Sequence, residues 1–483
     1  MEGLLRPDRL AARWGCRSAR RLGTGKRLTW FWAIGLCGSA LSWRVRRFSN
    51  LERGGQPMPE KRILINTRSV SITVGLDEET LFTYDRRGRL IGAFAEGKNY
   101  RRGLDNRVLV RWSEGSPLRR RRLELAGEEK AAFLERVRAA AEEAVAAARR
   151  GCARITMREP DGTGRELSAL PEEDFEVLEK AAALGPQELE EDREAFYRVY
   201  RPVPILPPDK YLAVVLQATE GCSYNRCAFC TFYRGVPFRV KSEEEFREHV
   251  HRVKEFLGPA LMLRRSIFLG DANALVAPHE RVVRLMHVVG EEFALAPREL
   301  CLRSKDMRRW LAEHREGFEG IYSFLDVFNA RKMTVEEFRQ LAVLGLRRVY
   351  IGLETGDKPL LRFLRKPGHP EDAVRVVNDL KKAGVNVGVI VMTGIGGKQY
   401  AEAHVSHTVE VLLEMNLGEG DLVYFSPFVE EGTEYRELAE ARGVQPLSEE
   451  EMAAQRDAIQ SALRARWKDW PATALYDIRE FVY

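Results

Sequence analysis

Cys222, Cys227 and Cys230 form a C-x4-C-x2-C triad within Thr219–Phe232, directly after the apolar run that begins at Tyr211. Thiols this close in sequence can point inward from one loop, and as thiolates they hold a soft metal centre. Three such ligands on an iron–sulfur cube leave one iron open to another ligand. The competing reading is a structural zinc knuckle, which wants four nitrogen or sulfur ligands in two close pairs. No second close pair of Cys or His follows. His249 and His251 are nearest, but they stand two apart in a helical pattern and so face different directions.

The triad resembles the signature of the radical S-adenosylmethionine (SAM) superfamily, a three-cysteine loop after the first strand of a partial barrel. An aromatic residue usually precedes the last cysteine in that family, and Phe229 stands there. Four residues separate the first two cysteines, where three is commonest, so the subfamily stays open. The resemblance implies a 4Fe–4S cluster whose open iron is chelated by the amino and carboxylate groups of SAM. An electron would then cleave SAM to methionine and a 5′-deoxyadenosyl radical that takes a hydrogen atom from the substrate. The cluster has to be recharged, so a flavodoxin- or ferredoxin-like electron donor is an expected partner.

The elements that must position such a loop are legible from Lys210 onward. Apolar strands are expected at Leu212–Leu216, Ser266–Leu269, Ile321–Leu325, Arg348–Leu353, Val387–Met392 and Leu422–Phe425, with helices between them. Ser242 with Glu245, and Thr334 with Glu337, are capping boxes that start two of those helices. Strands buried on both faces and alternating with helices mean a parallel sheet. The rhythm fits an open (β/α)6 TIM-like barrel spanning residues 205–430, the radical SAM core, in a chain of class α/β. A doubly wound sheet would show a Gly-rich phosphate fingerprint after its first strand, which is missing.

Barrel sites form at the carboxyl ends of strands. Gly270-Asp271-Ala272-Asn273 follows the second strand, where the family often has a Gly-Gly-Glu-like turn that binds the SAM amino group. Asp271 can accept hydrogen bonds from an ammonium, and it can equally cap a helix. Gly352-Leu353-Glu354-Thr355-Gly356 follows the fourth strand and resembles the segment that reaches the ribose or methionyl part of SAM, with Glu354 as its acidic group. After the fifth strand, Thr393-Gly394-Ile395-Gly396-Gly397 lets backbone approach a ligand closely. The family's segment there lies against adenine, although its full G-x-I-x-G-x-x-E pattern is not reproduced. His404 and His407 are a possible helix-mounted pair; the alternative has one packed and the other solvated. Ser426 and its aromatic neighbours would face the barrel mouth.

Before the barrel, residues 58–200 read as an α+β domain. Strands at Ile63–Ile65, Val70–Val74, Leu81–Tyr84, Leu90–Phe94 and Val108–Trp112 alternate with turns at Asp85–Gly88 and Glu96–Asn99. A helix over Glu128–Arg150 has Phe133, Val137, Ala140, Ala144 and Val145 on one stripe. A charged helical region, Glu172–Tyr200, leads to a linker containing Pro202, Pro204, Pro207 and Pro208. Arg119–Arg122 reads either as a phosphate-binding patch or as a solvated loop entering the helix. Residues 431–483 are expected to add a helix and a strand-like end at Tyr476–Tyr483 that closes the barrel.

Charge sorts the function classes. The formal net charge is +6 over 483 residues. Residues 1–57 hold 12 Lys and Arg against 3 Asp and Glu, so the remainder is slightly acidic. That leader reads as a transit-like segment, an anchor, or sequence ahead of the real start. Its apolar stretch Leu28–Trp43 is shorter than the roughly twenty residues a spanning helix needs. A near-neutral body favours a small-molecule substrate over nucleic acid. An RNA-modifying radical enzyme using Lys98, Arg101, Arg102 and Arg119–Arg122 remains the alternative, with a non-catalytic metal scaffold as a third. Seven irregularly placed cysteines are no disulfide framework, and a free-thiol cluster site calls for a reducing compartment, the cytoplasm. Cys152 and Cys301 read as buried, inert thiols.

Overall fold

Residues 63–114, 120–159, 163–302, 304–467 and 471–483 are described by a computed structural model, and the expectations for residues 1–57 lie outside them. Seven strands, β1 (Leu64–Arg68), β2 (Ser71–Gly75), β3 (Leu81–Asp85), β4 (Leu90–Ala95), β5 (Lys98–Arg102), β6 (Val108–Ser113) and β7 (Arg120–Leu125), form an antiparallel meander. Helix α1 (Gly127–Arg149) follows, and β8 (Arg154–Arg158) returns parallel to β1 with β9 (Gly164–Leu167) beside it. Alternation along the strands turns Ile65, Ile72, Val74, Phe82 and Tyr84 onto the stripe Phe133, Val137, Ala140 and Ala144 of α1. The charged region splits at Gly185-Pro186 into α2 (Glu172–Ala182) and α3 (Pro186–Val199), because proline favours the first helical position and has no amide to continue the previous helix.

The arginine run is neither loop nor patch along Arg120–Leu125. It is strand β7, for which β6 supplies the hydrogen-bonding template. Lys98–Arg102, read in part as a turn, is strand β5. Several of the basic groups considered for RNA are committed inside the protein. Arg101 donates to the Tyr211 carbonyl at 2.9 Å, Arg102 pairs with Asp192 at 3.2 Å, and Arg122 pairs with Asp477 at 2.9 Å.

From Val214 the chain alternates strand and helix. The sequence runs β10 (Val214–Gln217), the short ladder strands β11 (Thr219–Glu220) and β12 (Arg239–Val240), α4 (Glu243–Leu257), β13 (Ile267–Gly270), α5 (His279–Glu292), α6 (Lys305–Glu313) and β14 (Ile321–Phe324). It continues through α7 (Val327–Ala330), α8 (Val335–Val343), β15 (Leu346–Glu354), α9 (Lys358–Phe363), α10 (Pro370–Lys382), β16 (Asn386–Thr393), α11 (Gly397–Glu414) and β17 (Leu422–Pro427). Both anticipated capping boxes form, with Glu245 and Glu337 amides donating to Ser242 and Thr334 at 3.1 and 3.2 Å. The tail adds α12 (Tyr435–Ala441), α13 (Glu449–Arg464) and β18 (Ala472–Leu475).

The seven strands β10, β13, β14, β15, β16, β17 and β18 lie side by side in chain order, all parallel, as a partial TIM-like barrel. The expected six units thus gain a seventh strand from the tail. It lies at Ala472–Leu475, four residues ahead of the anticipated Tyr476–Tyr483, because β17 offers a free edge there and Asp477 then caps a short 3-10 turn. Tyr483 instead reaches edge strand β10, where its hydroxyl accepts from the Val215 amide at 2.8 Å and donates to the Ala213 carbonyl at 3.2 Å. At the amino ends of the strands, buried Asp209 accepts from Arg348, from Tyr350 at 2.8 Å and from Tyr424 at 2.6 Å. This polar plug seals the face that serves barrel stability and leaves the opposite face for chemistry.

Candidate functional site

The cysteine loop leaves the carboxyl end of β10 and is pinched at its neck by the β11–β12 ladder, Thr219 opposite Val240 and Glu220 opposite Arg239. Although burial works to raise it, the Glu220 carboxyl is held at about 2 by hydrogen bonds from Arg239 and Lys241. Gly221 has φ +72, and a Cβ there would meet the Val236 carbonyl at 2.7 Å, so no other residue fits the turn. Asn225 takes a left-handed φ of 49 and donates to the Tyr233 carbonyl at 2.7 Å. Arg234 then braces the loop from outside, donating to the carbonyls of Asn225, Cys227 and Cys230 at 3.1, 3.1 and 3.2 Å.

Cys222, Cys227 and Cys230 are all partly buried. Burial pushes the Cys227 thiol up to about 12 and raises Cys230 as well, and the neighbouring thiols add to both shifts. Among the described residues, no group of three His, Cys, Asp or Glu meets the spacing of a metal site, these thiols included. Their donor chemistry nonetheless suits an iron–sulfur centre: three thiols on one loop, close enough to feel one another's charge. The histidines weighed as further ligands are engaged elsewhere. His249 is buried and accepts from the Gln217 amide at 3.0 Å, and His251 pairs with Glu292 at 2.9 Å.

Asp271 sits at the end of β13, buried, and caps no helix; Asn273 precedes the short 3-10 turn instead. Gln217 donates to the Asp271 carboxylate at 2.8 Å and accepts from the Arg201 amide at 3.0 Å, which ties the proline-rich segment to this turn. Burial lifts the Asp271 carboxyl to about 6. Gly270 lies beside it, its bare face in ordinary contact with Val215. Glu354 closes β15 in a left-handed conformation, φ 62, and is buried against Lys366 at 3.1 Å. Burial opposes the Lys366 charge, but Glu354 and the Cys227 thiol hold its pKa above the ordinary value. The Lys366 ammonium also lies 5.9 Å from the centre of the Phe229 ring, so Glu354, Lys366, Phe229 and the cysteine loop form one cluster.

The glycine segment after β16 behaves differently from expectation. The bare face of Gly394 is filled by Met452, where a Cβ would meet the sulfur at 2.4 Å, and the Gly394 amide donates to Gln455 at 2.8 Å. The Thr393 carbonyl accepts from the Phe428 amide at 2.8 Å. Gly394 admits helix α13, a long-range neighbour invisible in local sequence. His404 is buried against Thr355, and exposed His407 pairs with Asp357 at 2.8 Å, so one packs, the other is solvated, and the two face separate partners. Cys152 and Cys301 are exposed rather than buried, each lying in a connection outside the sheets. Lys366, Gln217 and Arg234 escaped the sequence reading; Arg234, four residues beyond the last cysteine, had only that spacing to mark it.

Residues 216–409 match the family model of the radical SAM superfamily. The barrel segment 216–409 is therefore a radical SAM domain. Among solved structures it is similar to methylornithine synthase, at 17% identity over 52% of this chain and 62% of that one, with a TM-score of 0.33. It is similar also to coproporphyrinogen III oxidase from Escherichia coli, at 16% identity over 59% and 56% of the two chains, TM-score 0.35. A maturase of the FeFe-hydrogenase aligns at 13% identity over 70% and 65%, TM-score 0.33. The chain spans less than two thirds of each of these proteins. No curated protein matches it. No helix among the described residues is long and apolar enough to cross a membrane.

Proposed function

We propose that Cys222, Cys227 and Cys230 hold a 4Fe–4S cluster at the carboxyl face of the barrel, and that SAM binds beside it for hydrogen abstraction from a small molecule. When bound, cluster and SAM together supply an adenosyl radical on one-electron reduction. The observation that carries this reading is the loop itself: three thiols on one loop, braced by Arg234, while the nearest histidines, His249 and His251, are engaged elsewhere. The protein's own groups do the positioning. Asp271 and Glu354 offer carboxylates to the methionyl and ribose parts of SAM, and Phe229 shields the loop from water. Thr393 and Gly394 line the end of β16, where α13 limits how closely a ligand can approach. The electron comes from a flavodoxin- or ferredoxin-like carrier. Commitment of Arg101, Arg102 and Arg122 to internal contacts favours a small substrate over RNA.

Anaerobic reconstitution tests the assignment, with about four irons and four sulfides per chain expected. Stoichiometric zinc without sulfide would exclude it. A pH dependence follows from Asp271. Burial makes the folded protein hold this proton more tightly than the unfolded chain, so the group favours folding at low pH and costs stability as pH rises through about 6. The charge that an ammonium can use appears over the same window. SAM affinity, measured by equilibrium binding to the reconstituted protein, should therefore rise between pH 5 and pH 7, and Asp271→Asn should flatten that rise while retaining the cluster. An equal rise in the variant would remove Asp271 from the SAM site.

A further inference from the structure

Two segments frame the cysteine loop, residues 221–241 and 358–369, and they touch where the Ala228 amide meets the Leu364 carbonyl at 3.0 Å and the Tyr224 hydroxyl meets the Arg365 carbonyl at 2.7 Å. Together they carry eight Lys and Arg and no Asp or Glu, in a body that is otherwise slightly acidic. Part of this charge is used internally. Lys366 pairs with Glu354, Arg239 and Lys241 with Glu220, and Lys358 with Glu371. Arg234 and Arg365 are exposed and share Glu434 from the tail at 3.1 and 2.6 Å, two cations to one carboxylate. Arg226 and Arg362 are exposed and have no partner among the described residues. Arg226 lies inside the four-residue spacer between Cys222 and Cys227.

We infer that this arginine face, centred on Arg226, Arg234, Arg362 and Arg365, is the docking surface for an acidic one-electron carrier protein. The inference rests on the proposed cluster. An oxidised cluster must take one electron from a reduced carrier, which is itself oxidised by one electron, and no bond is made or broken in either. Transfer requires the carrier to come close to the loop, and the two segments that frame the loop present Arg226 and Arg362 exposed and without a partner among the described residues. Complementary charge on the carrier would steer encounter toward that spot, with a rate that falls as salt screens the attraction.

The double variant Arg226→Glu, Arg362→Glu tests the assignment, because neither side chain has a hydrogen bond or ion pair among the described residues. Reconstituted protein is mixed anaerobically with reduced flavodoxin, and cluster reduction is followed by bleaching of its absorbance. Flavodoxin binding is measured separately by calorimetry, and the cationic methyl viologen radical serves as a reductant that needs no acidic docking. In the wild type the flavodoxin rate should fall steeply with added salt. The variant should bind flavodoxin more weakly and be reduced about tenfold or more slowly. Its iron content and its rate with methyl viologen should match the wild type or exceed it. Equal flavodoxin rates in the two proteins overturn the assignment, as does a wild type reduced by methyl viologen but not by flavodoxin. If the two substitutions abolish binding of a single-stranded RNA while sparing flavodoxin, the face serves nucleic acid and the assignment falls. A wild type with no reducible cluster defeats the radical reading itself, and is recognised because methyl viologen then fails as well.

Discussion

Replacing any one of Cys222, Cys227 and Cys230 by Ala is expected to abolish reductant-dependent 5′-deoxyadenosine formation and to lower iron and sulfide content. A cube held through three corners has no spare protein ligand, and loss of one thiolate opens a second iron to solvent. Neighbouring groups offer no substitute. His249 is engaged with the backbone of Gln217, His251 with Glu292, and Lys366 is a cation that donates to Glu354. Cys301→Ala and Cys152→Ala serve as internal controls. Both thiols are exposed, so each substitution should change stability by no more than about 0.5 kcal/mol and leave the cluster intact. Iron analysis and product assay on the five proteins decide the matter. A Cys301→Ala protein as depleted as Cys227→Ala would mean four protein ligands, no open iron and no chelation by SAM.

Asp209→Ala should be among the most destabilising single substitutions in the barrel, costing about 3–5 kcal/mol. The carboxylate accepts from Arg348 at 2.8 Å and from the Tyr350 and Tyr424 hydroxyls, and both charged side chains are less than a tenth exposed. Although burial works to raise it, the Asp209 carboxyl lies below its ordinary value because Lys210 and Arg348 attract its charge. Removing it leaves the Arg348 guanidinium buried with the Gly420 carbonyl as a remaining acceptor and orphans two phenols. Asp209→Ala with Arg348→Met should recover part of the loss, because the uncompensated charge goes with the arginine. Denaturant unfolding of the cluster-free proteins measures this. Additive losses in the double variant would show that the two groups act independently.

How much of this was legible in the sequence depended on the range of the interaction concerned. Cys222, Cys227 and Cys230 were legible because their spacing along one loop is a local property, and so were the capping boxes at Ser242 and Thr334. The strands of the barrel core were legible because strands buried on both faces are written as uninterrupted apolar runs. The edges were not. β7 reads as a basic loop until β6 supplies its ladder, and β18 lies four residues from the expected strand because β17 selects which part of the tail pairs. Side-chain roles at the site divide the same way. Glu354 was recognisable as the acidic group after the fourth strand, but its partner Lys366 comes from beyond α9. Gly394 was marked as a place of close approach, but only the folded chain puts Met452 against it. Asp271 was recognisable as a carboxylate at a strand end, while its burial, and hence the rise of its pKa to about 6 against the opposing hydrogen bond from Gln217, exists only in the folded chain. Residue type, periodicity and capping are set within a few positions of the chain, and the sequence determines them. Which surfaces meet, which charges are buried together and which stay in water are set by residues brought from far along the chain, and only the tertiary structure decides those.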